Sequence, residues 1–244
     1  MNATIAMLTV RTLLGRRRAW LLVALPAVLL LLAVILRLTV DESGRSDAAS
    51  HILGVLGLAT VIPLLGLIAG TGAIGGEIDD GSIIYLLAKP VNRHSIVVTK
   101  LAVAAALVSA LGAVPVLVTG WILVGGEHHL AIGYALGALV AGITYCAGFL
   151  LLAVVTRNAV VIGLIYALVW ETAIGSIVPG AQTLSIQQWS LALTRIVVGD
   201  AADALNVTAA VRPQIALPLL VVLVVGSTAY AGHRLRSLRL TSAE

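Results

Sequence analysis

Residues 20–36 read WLLVALPAVLLLLAVIL, with Arg16-Arg17-Arg18 just before them and Arg37 just after. No charge interrupts the run, and with its flanks it is long enough to cross a hydrocarbon core of about 30 Å as a helix. A helix is required, because lipid offers no partner to an unpaired backbone N–H or C=O. Basic residues before an apolar run also mark a secretory leader. This run, however, continues to Arg37 without an Ala-x-Ala cleavage site, so it reads as an uncleaved first span.

The same pattern recurs along the chain. Apolar runs predict spans at about 20–38, 51–75, 95–124, 130–155, 159–178 and 213–232. Composition agrees: 60% of the 244 residues are apolar and 11% are charged, whereas a soluble domain carries about 25% charged residues. Mean hydropathy is +1.08. So few charges cannot build a water-facing surface, which excludes a soluble globular enzyme. The abundance of Leu, Val, Ile and Ala excludes disorder, and the alternation of a membrane β-barrel is absent. The expected fold class is all-α: one polytopic transmembrane domain, residues 1–244, with six transmembrane helices.

The charges orient it. With the N-terminus inside, Arg11, Arg16, Arg17, Arg18, Lys89, Arg93, Lys100, Arg157, Arg234, Arg236 and Arg239 face the cytoplasm. Only Arg45, Arg195 and Arg212 lie outside, with Arg37 at the outer end of the first span. Asp41, Glu42, Asp47, Glu127, Asp200 and Asp203 also fall outside. This bias places both termini in the cytoplasm. Spread over membrane-flanking segments, the basic residues form no nucleic-acid patch. Upstream, residues 2–15 put Ala3, Met7, Val10 and Leu14 on one helical stripe and Arg11 on another, the pattern of a helix lying on the membrane interface. The single cysteine, Cys146, sits inside an apolar run and reads as a small buried packing residue.

Several motifs fail on context. Gly70-Thr71-Gly72-Ala73-Ile74-Gly75 matches G-x-G-x-x-G, but it closes a membrane span and no βαβ unit surrounds it. Close helix packing through small residues, with Gly66 and Gly76, explains it better. No G-x-x-x-x-G-K-[ST] and no H-E-x-x-H occurs, so this chain carries neither phosphate cradle nor zinc motif of those kinds. Glu127-His128-His129 reads as a solvated outer turn, and no metal is expected. Asn206-Val207-Thr208 fits a glycosylation sequon, which matters only in a eukaryotic secretory pathway. Nothing supplies a nucleophile with an adjacent base, so no catalytic residue is expected.

The longest inner loop survives this sieve. It runs Glu77-Ile78-Asp79-Asp80-Gly81-Ser82-Ile83-Ile84-Tyr85-Leu86-Leu87-Ala88-Lys89-Pro90. Acids gather where a helix would begin, an apolar patch with Tyr85 follows, and Pro90 stops it. A short cytoplasmic helix over 77–89 is predicted, its apolar residues meeting protein or membrane. The longest outer segment, 179–212, is of mixed polar and apolar character.

With its six spans, interfacial helix and acidic inner loop, the chain resembles the permease subunits of type-2 ABC exporters, half-transporters whose ATPase is a separate chain. The similarity rests most on Glu77, Gly81-Ser82, Leu86-Leu87, Lys89-Pro90, Arg93 and Lys100, with Ser82 where the family usually has Thr. A second similar stretch is Trp170-Glu171, Pro179-Gly180-Ala181 and Leu184-Ser185-Ile186-Gln187-Gln188-Trp189. The resemblance implies that 77–89 is a coupling helix seated on the ATPase, with contacts from Glu77, Ile78, Asp79, Asp80, Gly81, Ser82, Ile83 and Tyr85. It implies a smaller contact at Thr156-Arg157-Asn158. It also implies two ATPase copies, a second permease subunit (identical or paralogous), and no cofactor on this chain, ATP and Mg belonging to the partner. Transport would be outward, and the bacterial cytoplasmic membrane is the expected location.

Glu171 stands in an apolar run, where a carboxylate costs about 2.5–3.5 kcal/mol unless paired, protonated or wet. Two readings stay open: a group on the translocation path, or a carboxyl that holds the outer segment folded back. Gln182, Gln187, Gln188 and Trp189 nearby suit an outer gate or an interfacial belt. The alternative functions are a secondary transporter or proton-coupled channel working through Glu171, and a scaffold or membrane enzyme. Secondary transporters usually show more intramembrane polar groups and an internal repeat, and neither is visible. The substrate class expected is drug-, peptide- or lipid-like.

Overall fold

The computed structural model describes residues 3–79, 93–126, 129–174 and 180–237. All regular structure among them is helical. Helix α1, Ala3–Leu13, precedes α2, Arg16–Thr39. After a short turn, α3, Arg45–His51, runs on through a π-helical stretch, Ile52–Val61, into α4, Ile62–Asp79. Helix α5, Arg93–Val108, continues through a second π stretch, Ser109–Ala113, into α6, Val114–Val124. Then come α7, Leu130–Val155, and α8, Ala159–Ile165, which passes into a third π stretch, Tyr166–Ile174. Helices α9, Ile186–Val198, and α10, Pro213–Ser237, complete the chain.

Among the described residues, five helical segments are long and apolar enough to cross a membrane: Ala19–Thr39, Glu42–Glu77, Arg93–Val124, Leu130–Val155 and Pro213–Leu235. Ala159–Glu171 is apolar but shorter, and residues 175–179 of the expected fifth span lie outside the described residues.

Proline explains two of the π stretches. It has no N–H to donate, and its ring collides with the carbonyl four residues back. Pro63 follows the first stretch and Pro115 the second. Ahead of each, the ladder has shifted to i→i−5: Ile62 N–H donates to Gly57 O and Val114 N–H to Ser109 O. The Thr60 hydroxyl likewise donates to Val55 O at 3.0 Å. Such wide turns are rare and cluster at functional sites.

Helix α7 is central. Its tightest neighbour is α4, because Gly66 and Gly70 bring the two backbones together: a Cβ on Gly66 would stand 2.6 Å from the Tyr145 Cβ, and one on Gly70 2.8 Å from the Cys146 carbonyl oxygen. The small-residue reading therefore holds for these two glycines. It fails for Gly76, where an added Cβ would meet nothing within 4 Å among the described residues. Cys146 is fully buried in the same seam.

Helix α1 does more than rest on a surface. Ile5, Thr9 and Leu13 are buried against α4 and α5, while Met7, Val10 and Leu14 remain exposed. The expected stripe is present, but a second, packed face accompanies it. The Arg93 guanidinium donates to Leu235 O at 2.8 Å. Together with α1, this gathers both ends of the described chain at one end of the bundle, here the terminal end.

The described part of the segment expected to lie outside, residues 180–212, is largely helical. From Ala181 it forms a 3-10 turn to Leu184, then α9, then a second 3-10 turn, Gly199–Ala202. Trp189, Leu191, Ala192 and Val198 face inward, and α9 packs on α7 and α10. The Thr194 hydroxyl donates to Gly133 O at 3.1 Å. The chain thus folds back into the far end of the bundle.

Candidate functional site

At the terminal end, α4 and α5 bracket residues 80–92. Lys100 lies two turns into α5 with its side chain fully buried, 0% exposed. Its ammonium donates to Ala73 O and to Glu77 Oε1, both at 2.6 Å. An unpaired ammonium here would be prohibitively costly, so the two acceptors on α4 decide where the lysine, and with it α5, must sit. The pair therefore joins the helix that enters the 80–92 segment to the helix that leaves it.

Of the residues expected to contact an ATPase, Glu77 is thus engaged with Lys100 inside the bundle, its side chain 22% exposed. Ile78 and Asp79 occupy the last turn of α4. Asp80, Gly81, Ser82, Ile83 and Tyr85, and most of the expected 77–89 helix, lie outside the described residues. Arg157 is exposed in the turn between α7 and α8, where Thr156 Oγ1 accepts from Asn158 N–H at 3.3 Å. It lines a crevice with Gly75 and Gly76, so this turn and the end of α4 share the terminal face.

The second cluster centres on Glu171, which is 1% exposed in the third π stretch. Its Oε1 accepts from the Tyr166 hydroxyl and from Ile186 N–H, both at 3.1 Å, and Oε2 accepts from the Ser185 hydroxyl. Ser185 is the N-cap of α9 and also accepts from Gln188 N–H at 3.3 Å. The carboxyl group therefore sits on the positive end of α9, where backbone N–H groups lack intrahelical partners. Three donors replace the water lost on burial. Phe149, stacked on Tyr145 and edge-on to Tyr166, walls the cluster.

By these bonds the Glu171 carboxyl ties the start of α9 to the third π stretch. It lies behind the far-end cleft and does not line it. That cleft, about 730 Å³, is bounded by Asp47, Ser50, His51, Tyr134, Gln187 and Gln188, among others. Gln187 Nε2 donates to Gly54 O in the first π stretch at 3.1 Å, and Gln188 Oε1 accepts from Ala210 N–H at 3.0 Å. The Tyr134 hydroxyl donates to Ser50 O at 3.1 Å, and Asn206 Nδ2 to Asp47 Oδ1 at 3.2 Å. Trp189 is buried, its Nε1 donating to Thr183 O at 2.8 Å. Helix α9 thus ties together two π stretches, one through Glu171 and one through Gln187.

The sequence reading passed over Ser185, Tyr166 and the burial of Lys100. Ser185-x-x-Gln188 is a capping-box pattern and could have marked the start of α9. Nothing local marks Tyr166 or Lys100 as partners of a carboxylate. Among the described residues no group of three or more His, Cys, Asp or Glu could hold a metal ion.

The family model described as ABC-2 family transporter protein matches residues 3–212, which takes in both clusters. No curated protein matches the chain.

Proposed function

The chain belongs to the ABC-2 family of transporter proteins, and from that premise we propose that it is the membrane-spanning permease subunit of an ATP-driven exporter. In this reading it crosses the bacterial cytoplasmic membrane six times, the fifth crossing being the one that begins at Ala159, with both termini inside. Two permease chains, identical or paralogous, work with two copies of an ATPase chain that binds ATP and Mg. A drug-, peptide- or lipid-like substrate moves outward by alternating access.

The observation that carries this reading beyond family membership is the buried Lys100–Glu77 pair. Force applied to residues 80–92 by a partner reaches α4 and α5 together, because Lys100 binds both Glu77 and Ala73 O. Helix α4 is in turn locked to α7 through Gly66 and Gly70. A push at the terminal end therefore moves a rigid group of helices without bending a loop. At the far end, the Glu171 clasp and the Gln187–Gly54 bond couple α9 to the helices that would move.

The test is co-purification of the tagged chain with its ATPase in mild detergent, followed by ATP hydrolysis. Asp79→Lys and Asp80→Lys are the informative variants, since Glu77→Lys would set two ammonium groups together and disrupt the fold. They should insert and melt like wild type while losing the ATPase. A wild-type chain that purifies alone as a stable homo-oligomer would overturn the half-transporter reading.

A further inference from the structure

Arg37 ends the exposed apolar run of α2 and turns onto the far end of α6, where Nη1 donates to Leu123 O at 3.2 Å. Arg45 meets the same corner. Its Nε donates to Val40 O at 3.1 Å, Nη2 to Arg37 O at 3.4 Å, and Nη1 to the Glu42 carboxylate at 3.1 Å. Arg37 has no carboxylate partner among the described residues. Glu42 is 91% exposed against 19% for Arg45, so water weakens this ion pair. Between the two arginines lies a cleft of about 300 Å³, which Glu42, Ser46 and Gly125 also line. The lining sets two guanidinium groups against that one carboxylate, and Arg37 keeps N–H groups beyond the one bonded to Leu123 O.

Its depth is set by its neighbours. Leu38 is strongly exposed beside Arg37, and Trp121, one turn before the end of α6, is 60% exposed. An exposed tryptophan closing an apolar span sits at the level of the lipid headgroups. Phosphate is the anion abundant at that depth, and the planar guanidinium fork matches its oxygens two at a time.

We propose that this corner is a phospholipid headgroup site. Arg37, Arg45 and the Ser46 hydroxyl hold the phosphodiester of one glycerophospholipid, whose acyl chains lie along the exposed faces of α2 and α6. An anionic headgroup is preferred, because the ammonium of phosphatidylcholine would add positive charge beside two arginines. The lipid bridges α2, the least buried of the five long spans, to α6. The site needs no ATPase and stands apart from the exporter reading.

The experiment is native mass spectrometry of the full chain in detergent, titrated with phosphatidylglycerol, phosphatidylcholine and the tail-less headgroup glycerophosphoglycerol. Wild type should retain one phosphatidylglycerol, bind phosphatidylcholine about tenfold more weakly, and leave glycerophosphoglycerol unbound. The double variant Arg37→Gln with Arg45→Gln should lose phosphatidylglycerol at least tenfold. Ser46→Asp, which leaves both arginines and their backbone bonds in place, should do the same if the double variant melts early. Retention of phosphatidylglycerol by Ser46→Asp would show that Arg37 serves only the carbonyl of Leu123. Equal binding of glycerophosphoglycerol would make this a soluble-anion site. Either result overturns the proposal.

Discussion

Replacing Lys100 by methionine keeps the length and apolar stem of the side chain and removes only the ammonium. The Ala73 carbonyl and Glu77 Oε1 then lose a donor that stands 2.6 Å from each. Removing one member of a fully buried ion pair costs about 3–5 kcal/mol, because the other charge is left behind. Glu77 is 22% exposed and water reaches it, so the lower end, about 3 kcal/mol, is expected. At about 2–4 °C per kcal/mol for a chain of this size, Lys100→Met should melt about 6–12 °C below wild type. Thermal unfolding in detergent, followed by tryptophan fluorescence, measures it. The double variant Lys100→Met with Glu77→Leu replaces the pair by apolar groups and should recover to within about 1 kcal/mol of wild type. In complex with the ATPase, the double variant should hydrolyse ATP without substrate stimulation, since α4 and α5 are no longer tied. Additive losses in the double variant, or full stimulation, would refute the argument that this pair links the two helices.

Glu171→Ala leaves two hydroxyls and the Ile186 N–H without their acceptor. The hydroxyls can rotate but the N–H cannot, and a loss of about 3 kcal/mol is expected. Glu171→Gln keeps an acceptor and should lose about 1 kcal/mol, while Ser185→Ala removes the cap of α9 for about 1–2 kcal/mol; the same melting assay ranks all three. Gly70→Val should fail to assemble in detergent, since even a Cβ there meets the Cys146 carbonyl. Gly76→Ala, with open space around it, should stabilise by a few tenths to about 1 kcal/mol. In cells, with Cys146 replaced by alanine, a membrane-impermeant thiol reagent should label Ser43→Cys and spare Arg157→Cys; the reverse pattern would invert the orientation.

How much of this was legible depends on how local its cause is. The existence of long apolar helices, and the reach of α2 from its arginines to Arg37, follow from runs of side chains that only lipid or protein can accept. The rarity of charge excluded a soluble fold for the same reason. Pro63 and Pro115 mark two of the three described stretches where the ladder widens, and Ser185-x-x-Gln188 marks the start of α9. By contrast, the stripe read on α1 was right as a stripe and incomplete as a description, because Ile5 and Leu13 find their partners on α4 and α5. Gly76 shares the spacing of Gly66 and Gly70 yet packs against no described residue there, since spacing says which glycines share a face and not whether a helix lies opposite.

The sequence by itself determined that this chain is a bundle of membrane helices, because hydration and backbone hydrogen bonding act on each segment separately. It also carried the family resemblance, in two stretches, 77–100 and 170–189, set within the pattern of spans. The tertiary structure alone decided what the buried charges do. Glu171 and Ser185 are 14 residues apart and Lys100 and Glu77 are 23 apart, and no periodicity links the members of either pair. Their meeting is set by how helices pack through glycine seams, and in a medium without water that meeting is what makes each charge tolerable.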